Sequence, residues 1–284
     1  MLRVAARAVA VFLLCALVVP ASVAATVFAS FLFLPLPASL PEPKAALASM
    51  FSRVLDIEGN EIGIFRRFET SVPFHKEDVP LVLKQAVIAS EDRNFYHHGG
   101  VDIRGTARAF WADYRNRSIV QGGSTITQQY VKLAYVGNKR TVWRKLREAV
   151  LAAQLDRQID KEEILYRYLS NIYLGNGAYG VEAASELYFR KPVKDLTLSE
   201  AALLAGLIPA PSRYEPLGNP RLAEQRRRTV LQKMYEQGYI TGQQLAEAHS
   251  QGLWYAEAGP PPGPATLVYR PRQQRRDYPY FLDY

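Results

Sequence analysis

The chain has 284 residues, 48% of them hydrophobic and 22% charged, with 35 Lys+Arg against 27 Asp+Glu and a net charge of +8. That balance excludes a disordered, collagenous or low-complexity protein, and the length suffices for one large domain or two small ones with a real core. Cys15 is the only cysteine, which excludes a disulfide within the chain and a cysteine-based zinc site. His75, His97, His98 and His249 are too scattered to form a His-rich metal site. Excess positive charge by itself points to anionic partners: nucleic acid, acidic lipid or a phosphate-bearing substrate.

The N-terminus narrows that choice. No residue from Ala8 to Pro41 is charged, Arg3 and Arg7 precede the run, and the first acid after it is Glu42. About 20 apolar residues cross a bilayer, and flanking arginines keep the N-terminus in the cytoplasm. Residues 1–37 are therefore expected to form a cytoplasmic tip and a transmembrane signal-anchor, kinked at Pro20. A cleaved signal peptide is the alternative, with Ala21, Ser22, Ala24 and Ala25 as the small residues at the cut. Against cleavage, apolar residues resume at Val27 and run on through Phe28, Phe31, Leu32, Phe33 and Leu34. In both readings the rest of the chain lies outside the cytoplasm, so nucleic acid drops out as a partner.

Residues 38–79 read as a linker followed by a hairpin. Pro35, Pro37, Pro41 and Pro43 stiffen the linker. Over Arg53–Phe68, Val54, Leu55 and Ile57 lead into a Glu58–Glu61 turn and Ile62, Ile64 and Phe65 return. After Val79 the apolar period becomes helical. It is carried by Leu81, Val82, Ala86 and Ile88, then by Val142, Leu146, Ala149 and Ala153, then by Ile164, Leu165, Tyr168 and Leu169. Further helices are predicted over Ser199–Leu207, Arg221–Gln237 and Thr241–Ser250, the last capped by Thr241. Residues 80–250 thus form a mainly α domain, and 251–284 a Pro/Gly-rich, basic exit segment ending in Tyr-Phe-Leu-Asp-Tyr.

Three stretches carry chemistry. Glu91 and Asp92 leave an apolar helix and meet Phe95, Tyr96, His97 and His98, a setting that can raise a carboxyl pKa. A solvated helix-end Glu-Asp pair is the plainer reading. Gly122-Gly123-Ser124-Thr125-Ile126-Thr127-Gln128-Gln129 opens a helix that reaches Lys132. Its backbone N–H groups, hydroxyls and lysine could cradle phosphate, although the P-loop order is missing and an ordinary helix cap fits equally. Arg140, Arg144 and Glu148 share one helical face with Lys145 beside them. Guanidinium groups suit phosphate oxygens, while a surface i,i+4 salt bridge is the default.

Taken in order, Glu91-Asp92-x-x-Phe95-x-x-His98-x-Gly100, Gly-Gly-Ser-Thr-x-Thr-Gln-Gln-x-x-Lys and Arg-Lys-x-x-Glu resemble the peptidoglycan glycosyltransferases of glycosyltransferase family 51. Tyr168–Ala184 is similar to the fourth family motif and Leu198–Gly206 to the fifth. The resemblance spans roughly residues 53–250, and the layout is similar to the front part of a class A penicillin-binding protein. It implies a mainly α fold with a lysozyme-like large lobe and a smaller membrane-facing lobe, behind a transmembrane helix and a short β-hairpin. It also implies polymerisation of lipid II onto a growing lipid-linked glycan strand, with inversion and release of undecaprenyl pyrophosphate, at the cytoplasmic membrane and in company with other cell-wall synthesis proteins.

On that resemblance Glu91 is the base that deprotonates the acceptor 4-hydroxyl, and Glu148 organises the donor side with Arg144 and Lys145. The organisation is direct or goes through a divalent cation (Mg2+ or Mn2+); no organic cofactor is implied. Ser124, Thr125, Gln129, Lys132 and Arg140 match substrate-binding positions, and Asp92, Phe95 and His98 support the Glu91 loop. Ser170 stands where the family usually has Asn, and Leu133 replaces an Asn that often follows the motif lysine. The Asp102–Arg117 stretch, with Ile103, Phe110, Trp111 and Tyr114 among arginines, suits an interfacial helix or a core helix equally.

No Ser-x-x-Lys or Lys-Thr-Gly occurs, so this chain carries no penicillin-reactive transpeptidase motif. The terminal Tyr-Phe-Leu-Asp-Tyr is expected to lead into a second domain, with a monofunctional enzyme as the alternative. Two rival functions remain: a lysozyme-type hydrolase, which has no pyrophosphate to hold, and a non-catalytic cell-wall scaffold, which has no need of both glutamates.

Overall fold

The computed structural model describes residues 51–55, 61–66, 70–106, 123–136 and 141–270, together with Val18, Val19, Ser22, Thr26 and Arg115. Most of the expected anchor, the proline linker, the hairpin turn, most of Asp102–Arg117, Arg140 and the terminal Tyr-Phe-Leu-Asp-Tyr lie outside the described residues. Among the described residues, no helix is long and apolar enough to cross a membrane.

The protein is mostly helical. Helix α1 (Leu81–Glu91) follows Pro80, whose extended backbone suits a helix start. It buries Leu83, Ala86, Val87, Ile88 and Ala89, too wide an apolar surface for a half-exposed helix. Helix α6 (Leu198–Leu207) is buried at every position from Ser199 on, and Thr197 and Glu200 close its N-terminus in a capping box. Helix α8 (Pro220–Glu236) starts with proline in its first turn and packs against both α1 and α6. At Gly206 of α6, an added Cβ would come within 3.2 Å of the Arg226 backbone carbonyl carbon. The glycine lets the two helices approach.

Beside this trio, short α2 (Ile126–Val131) packs on α3 (Val142–Gln158) and α4 (Lys161–Asn171). Thr141 caps α3 and Asp160 caps α4, each side chain accepting from a backbone N–H three residues on. Helices α5 (Val181–Phe189), α7 (Pro211–Tyr214) and α9 (Gly242–Ser250) join these. Thr241 caps α9 in a capping box, as its sequence predicts.

Three small strand pairs edge the helices. β1 (Phe51–Leu55) pairs antiparallel with β2 (Glu61–Arg66), with a register shift between Val54 and Leu55. β3 (Thr70–Ser71) pairs in parallel with β4 (Ala178–Tyr179). β5 (Gly252–Tyr255) pairs in parallel with β6 (Ala265–Val268), where composition suggests only an irregular exit. The Pro/Gly run supplies the tight crossover between these two strands. Past β6, Tyr269 donates its N–H to the Tyr188 carbonyl at 2.8 Å, and Arg190 stacks 4.4 Å from the Tyr269 ring.

Arg227 of α8 is fully buried. Its guanidinium donates to Glu224 at 2.8 and 2.9 Å, to the Ala248 carbonyl at 2.9 Å and to the Gln251 carbonyl at 2.5 Å. One side chain thereby satisfies the end of α9 and the entry to β5. Arg227→Met is expected to leave the Ala248 and Gln251 carbonyls without this donor and cost about 3 kcal/mol, measured as a lowered urea midpoint.

Candidate active site

Glu91 is the last residue of α1. The carbonyls of that last turn have no helical partner, and α8 with its C-cap supplies two: Lys233 Nζ donates to Ser90 O at 2.9 Å and the C-cap Gln237 Nε2 to Ala89 O at 3.0 Å. The Glu91 carboxylate accepts from Gln129 Nε2 at 2.9 Å on one oxygen and from Ser90 Oγ at 3.3 Å on the other. Burial pushes its pKa above the ordinary carboxylate value, and the Gln129 bond and the positive Lys233 and Arg226 offset part of that rise. The partial negative charge at a helix C-terminus acts in the same direction as burial. A carboxyl so placed is a better base than a solvated one.

The loop after Glu91 is pinned inward. Asp92 is buried and accepts from His98 Nε2 at 2.9 and 3.0 Å and from the Ile126 N–H at 3.0 Å. Phe95 is fully buried, with Lys161 Nζ 4.8 Å from its ring centre. The same ammonium donates to the His98 carbonyl at 2.7 Å and pairs with Asp156. Asp92, Phe95 and His98 thus tie the loop to the start of α2 and to α3 and α4. Gly100 adopts φ +81°, and a Cβ there would lie 2.2 Å from the Ala152 carbonyl oxygen of α3.

Helix α2 runs between the two glutamates' surroundings. Thr125, its N-cap, accepts from the Gln128 N–H at 3.1 Å and donates to the Gly100 carbonyl at 2.6 Å. The side chain is buried, and its hydroxyl is committed to the fold in both directions. Ser124 is half-buried and accepts from Lys145 Nζ at 2.7 Å. Lys145 also pairs with Glu148, whose other oxygen accepts from Arg144 at 2.7 Å. Glu148 is 2% exposed, so two cations offset its charge where water cannot. Arg144 Nε is buried without a hydrogen-bond partner among the described residues, a donor left over for a ligand.

Gln129, one turn into α2, faces Glu91, so the helix carries Ser124 toward one glutamate and Gln129 toward the other. Lys132 is half-buried on the π-helical turn Lys132–Val136 that extends α2, and Leu133 beside it is 40% exposed. Arg140 lies outside the described residues. The motif departure at the end of α4, Ser170, is local: its Oγ donates to the Tyr166 carbonyl, as Asn171 Nδ2 beside it does to the Arg167 carbonyl, both at 2.8 Å.

Sequence reasoning missed three neighbours of Glu91. Tyr168 donates to Gln129 Oε1 at 2.7 Å, and Lys233 and Arg226 approach from α8. Tyr168 heads a motif and so was findable. Lys233 lies 143 residues from the Ser90 carbonyl it binds, and no local pattern pairs them.

A divalent cation does not fit the Glu148 donor set, because both carboxylate oxygens already face cations that would repel a third. Among the described residues, no group of three or more His, Cys, Asp and Glu could hold a metal ion.

The chain is similar to known proteins. Penicillin-binding protein 1A of Aquifex aeolicus is 46% identical over 226 residues, covering 78% of this chain and 31% of that protein. Penicillin-binding protein 1A of Neisseria lactamica is 44% identical over 205 residues, covering 71% of this chain and 25% of that protein. The crystal structure of penicillin-binding protein 1A from Haemophilus influenzae is 24% identical, with a TM-score of 0.44, and the match covers 79% of this chain and 22% of that one. The chain spans between a quarter and a third of the length of the two curated relatives. A family model described as transglycosylase matches residues 58–235, a span that takes in Glu91, all of α2 and Glu148; the chain belongs to the transglycosylase family.

Proposed function

We propose that this chain is a peptidoglycan glycosyltransferase that polymerises lipid II into β-1,4-linked glycan with inversion and release of undecaprenyl pyrophosphate. The observation that carries the reading is the pairing of two unlike carboxylates across α2. Glu91 is a half-buried carboxylate with a raised pKa and one donor from Gln129; Glu148 is a buried carboxylate saturated by Arg144 and Lys145.

Inverting transfer needs both. Glu91 takes the proton of the acceptor 4-hydroxyl as that oxygen attacks the donor anomeric carbon. Across the sugar, the C–O bond to pyrophosphate breaks and negative charge builds on the leaving oxygens. Arg144 and Lys145, held in place by Glu148, meet that charge without reorganising, helped by Ser124, Lys132 and Arg140. No step is routed through a metal. Thr125 serves by holding the start of α2, and Asp92, Phe95 and His98 by fixing the Glu91 loop. The finer architecture is part of the same proposal: a lysozyme-like large lobe, a smaller membrane-facing lobe, and an N-terminal single-pass anchor that keeps the catalytic domain outside the cytoplasm at its lipid-linked substrate. Other cell-wall synthesis proteins are its expected partners.

The Arg144–Glu148–Lys145 group argues against the hydrolase reading, since hydrolysis of a glycan releases no pyrophosphate. Glu148→Gln tests the donor side. Its charge loss leaves two adjacent cations unbalanced, and lipid II polymerisation in detergent is expected to fall by roughly 10²-fold or more. An unchanged rate in the folded variant would remove Glu148 from the site.

A further inference from the structure

Glu91 is faced by few groups. Ser90 and Asp92 adjoin it on its own segment, Lys233 and Arg226 approach from α8, and Gln129 approaches from α2. Behind Gln129 stands Tyr168 of α4, fully buried, its hydroxyl 2.7 Å from Gln129 Oε1.

We infer that Tyr168 is a positioning residue for Glu91: its hydroxyl fixes the Gln129 amide so that the amide nitrogen, and not the oxygen, faces the carboxylate. This rests on the reading of Glu91 as the base. The polarity is set from both ends. A carboxylate can only accept, so Gln129 must offer it Nε2, at 2.9 Å. The Tyr168 phenol can donate or accept, but its buried proton needs an acceptor, and Gln129 Oε1 at 2.7 Å is the one it faces. Burial, with the negative charges of Glu91 and Asp92 nearby, holds the Tyr168 proton well above the usual phenol range, so the donor is permanent. Turning the amide over would set its oxygen against the carboxylate and leave the buried phenol proton without its acceptor.

The consequence is chemical. A fixed donor favours the ionised, base-competent form of Glu91 against the burial that opposes it. It also occupies one carboxylate oxygen, leaving the other, which holds only the longer Ser90 contact of 3.3 Å, to receive the acceptor proton.

The test is the pH dependence of lipid II polymerisation in detergent by the full chain carrying Tyr168→Phe, which keeps the ring and removes only the hydroxyl. The acidic limb of kcat/KM is expected to move up by roughly half to one pH unit. On the acidic side of the limb the rate should fall by roughly three- to tenfold, and above the limb it should approach wild type, with KM little changed. Gln129→Leu should move the limb in the same direction, and Tyr168→Phe added to it should move it no further. A limb that stays in place, a loss uniform across pH, or additive shifts in the double variant would each overturn the relay. If Glu91→Gln keeps its activity, the base reading fails; an inactive Glu91→Gln beside an unshifted Tyr168→Phe condemns the relay alone.

Discussion

Glu91→Gln is expected to lower glycan polymerisation by a factor on the order of 10²–10⁴ while making the folded protein more stable at neutral pH. The amide oxygen can still accept from Gln129 Nε2, so the local hydrogen bond survives, but no base remains. The stability change follows from burial. The folded-state pKa of Glu91 lies above its ordinary value of 4.5. Its contribution to stability is therefore full below that value and is lost as pH rises through the folded-state pKa. Wild type carries that loss at neutral pH and the Gln variant does not. Thermal melts should show the two proteins close together at about pH 4 and the variant ahead at about pH 7.5, a gap that opens with rising pH. A variant that loses activity together with stability at neutral pH would mean that Glu91 holds the fold.

Gly100→Ala is the second large effect, and it acts through the fold. The backbone at Gly100 has φ +81°, where a side chain is strained, and the new Cβ would lie 2.2 Å from the Ala152 carbonyl oxygen. That obstacle is helix backbone and cannot rotate away. Relief requires α3 and the loop to part, which also pulls the Gly100 carbonyl from Thr125 and loosens the start of α2. Strain and overpacking together are expected to cost about 4 kcal/mol, read as a lowered urea midpoint, with activity falling in parallel. Its neighbour is the control. A Cβ at Gly99 meets nothing within 4 Å, so Gly99→Ala should stay within about 0.5 kcal/mol of wild type.

Much of the helical frame was legible because it is local. Thr241 announces a helix start through its own side chain, and the apolar periods of α1 and α4 lie within single segments. The order Glu91, Ser124–Gln129, Arg144–Glu148 named the elements that meet. What the sequence concealed is directional. Thr125 reads as a phosphate ligand and as a cap equally well, and only the nearby Gly100 carbonyl commits its hydroxyl to the fold. Gln129 reads as a polar ligand, whereas its amide spans Glu91 and Tyr168, two side chains 77 positions apart in the chain. The β5–β6 pair was hidden because its strands are only four residues each and a Pro/Gly run divides them. Ser170, which stands where the family usually has Asn, donates its hydroxyl to its own helix, as its neighbour Asn171 does its amide.

The most direct measurement is polymerisation of labelled lipid II by the unaltered full chain in detergent, following glycan and lipid pyrophosphate together. A glycosyltransferase with these two carboxylates should give a ladder of glycan strands and release one undecaprenyl pyrophosphate for each disaccharide added. A folded chain that leaves lipid II intact, or that shortens preformed glycan instead of extending it, would contradict the assignment.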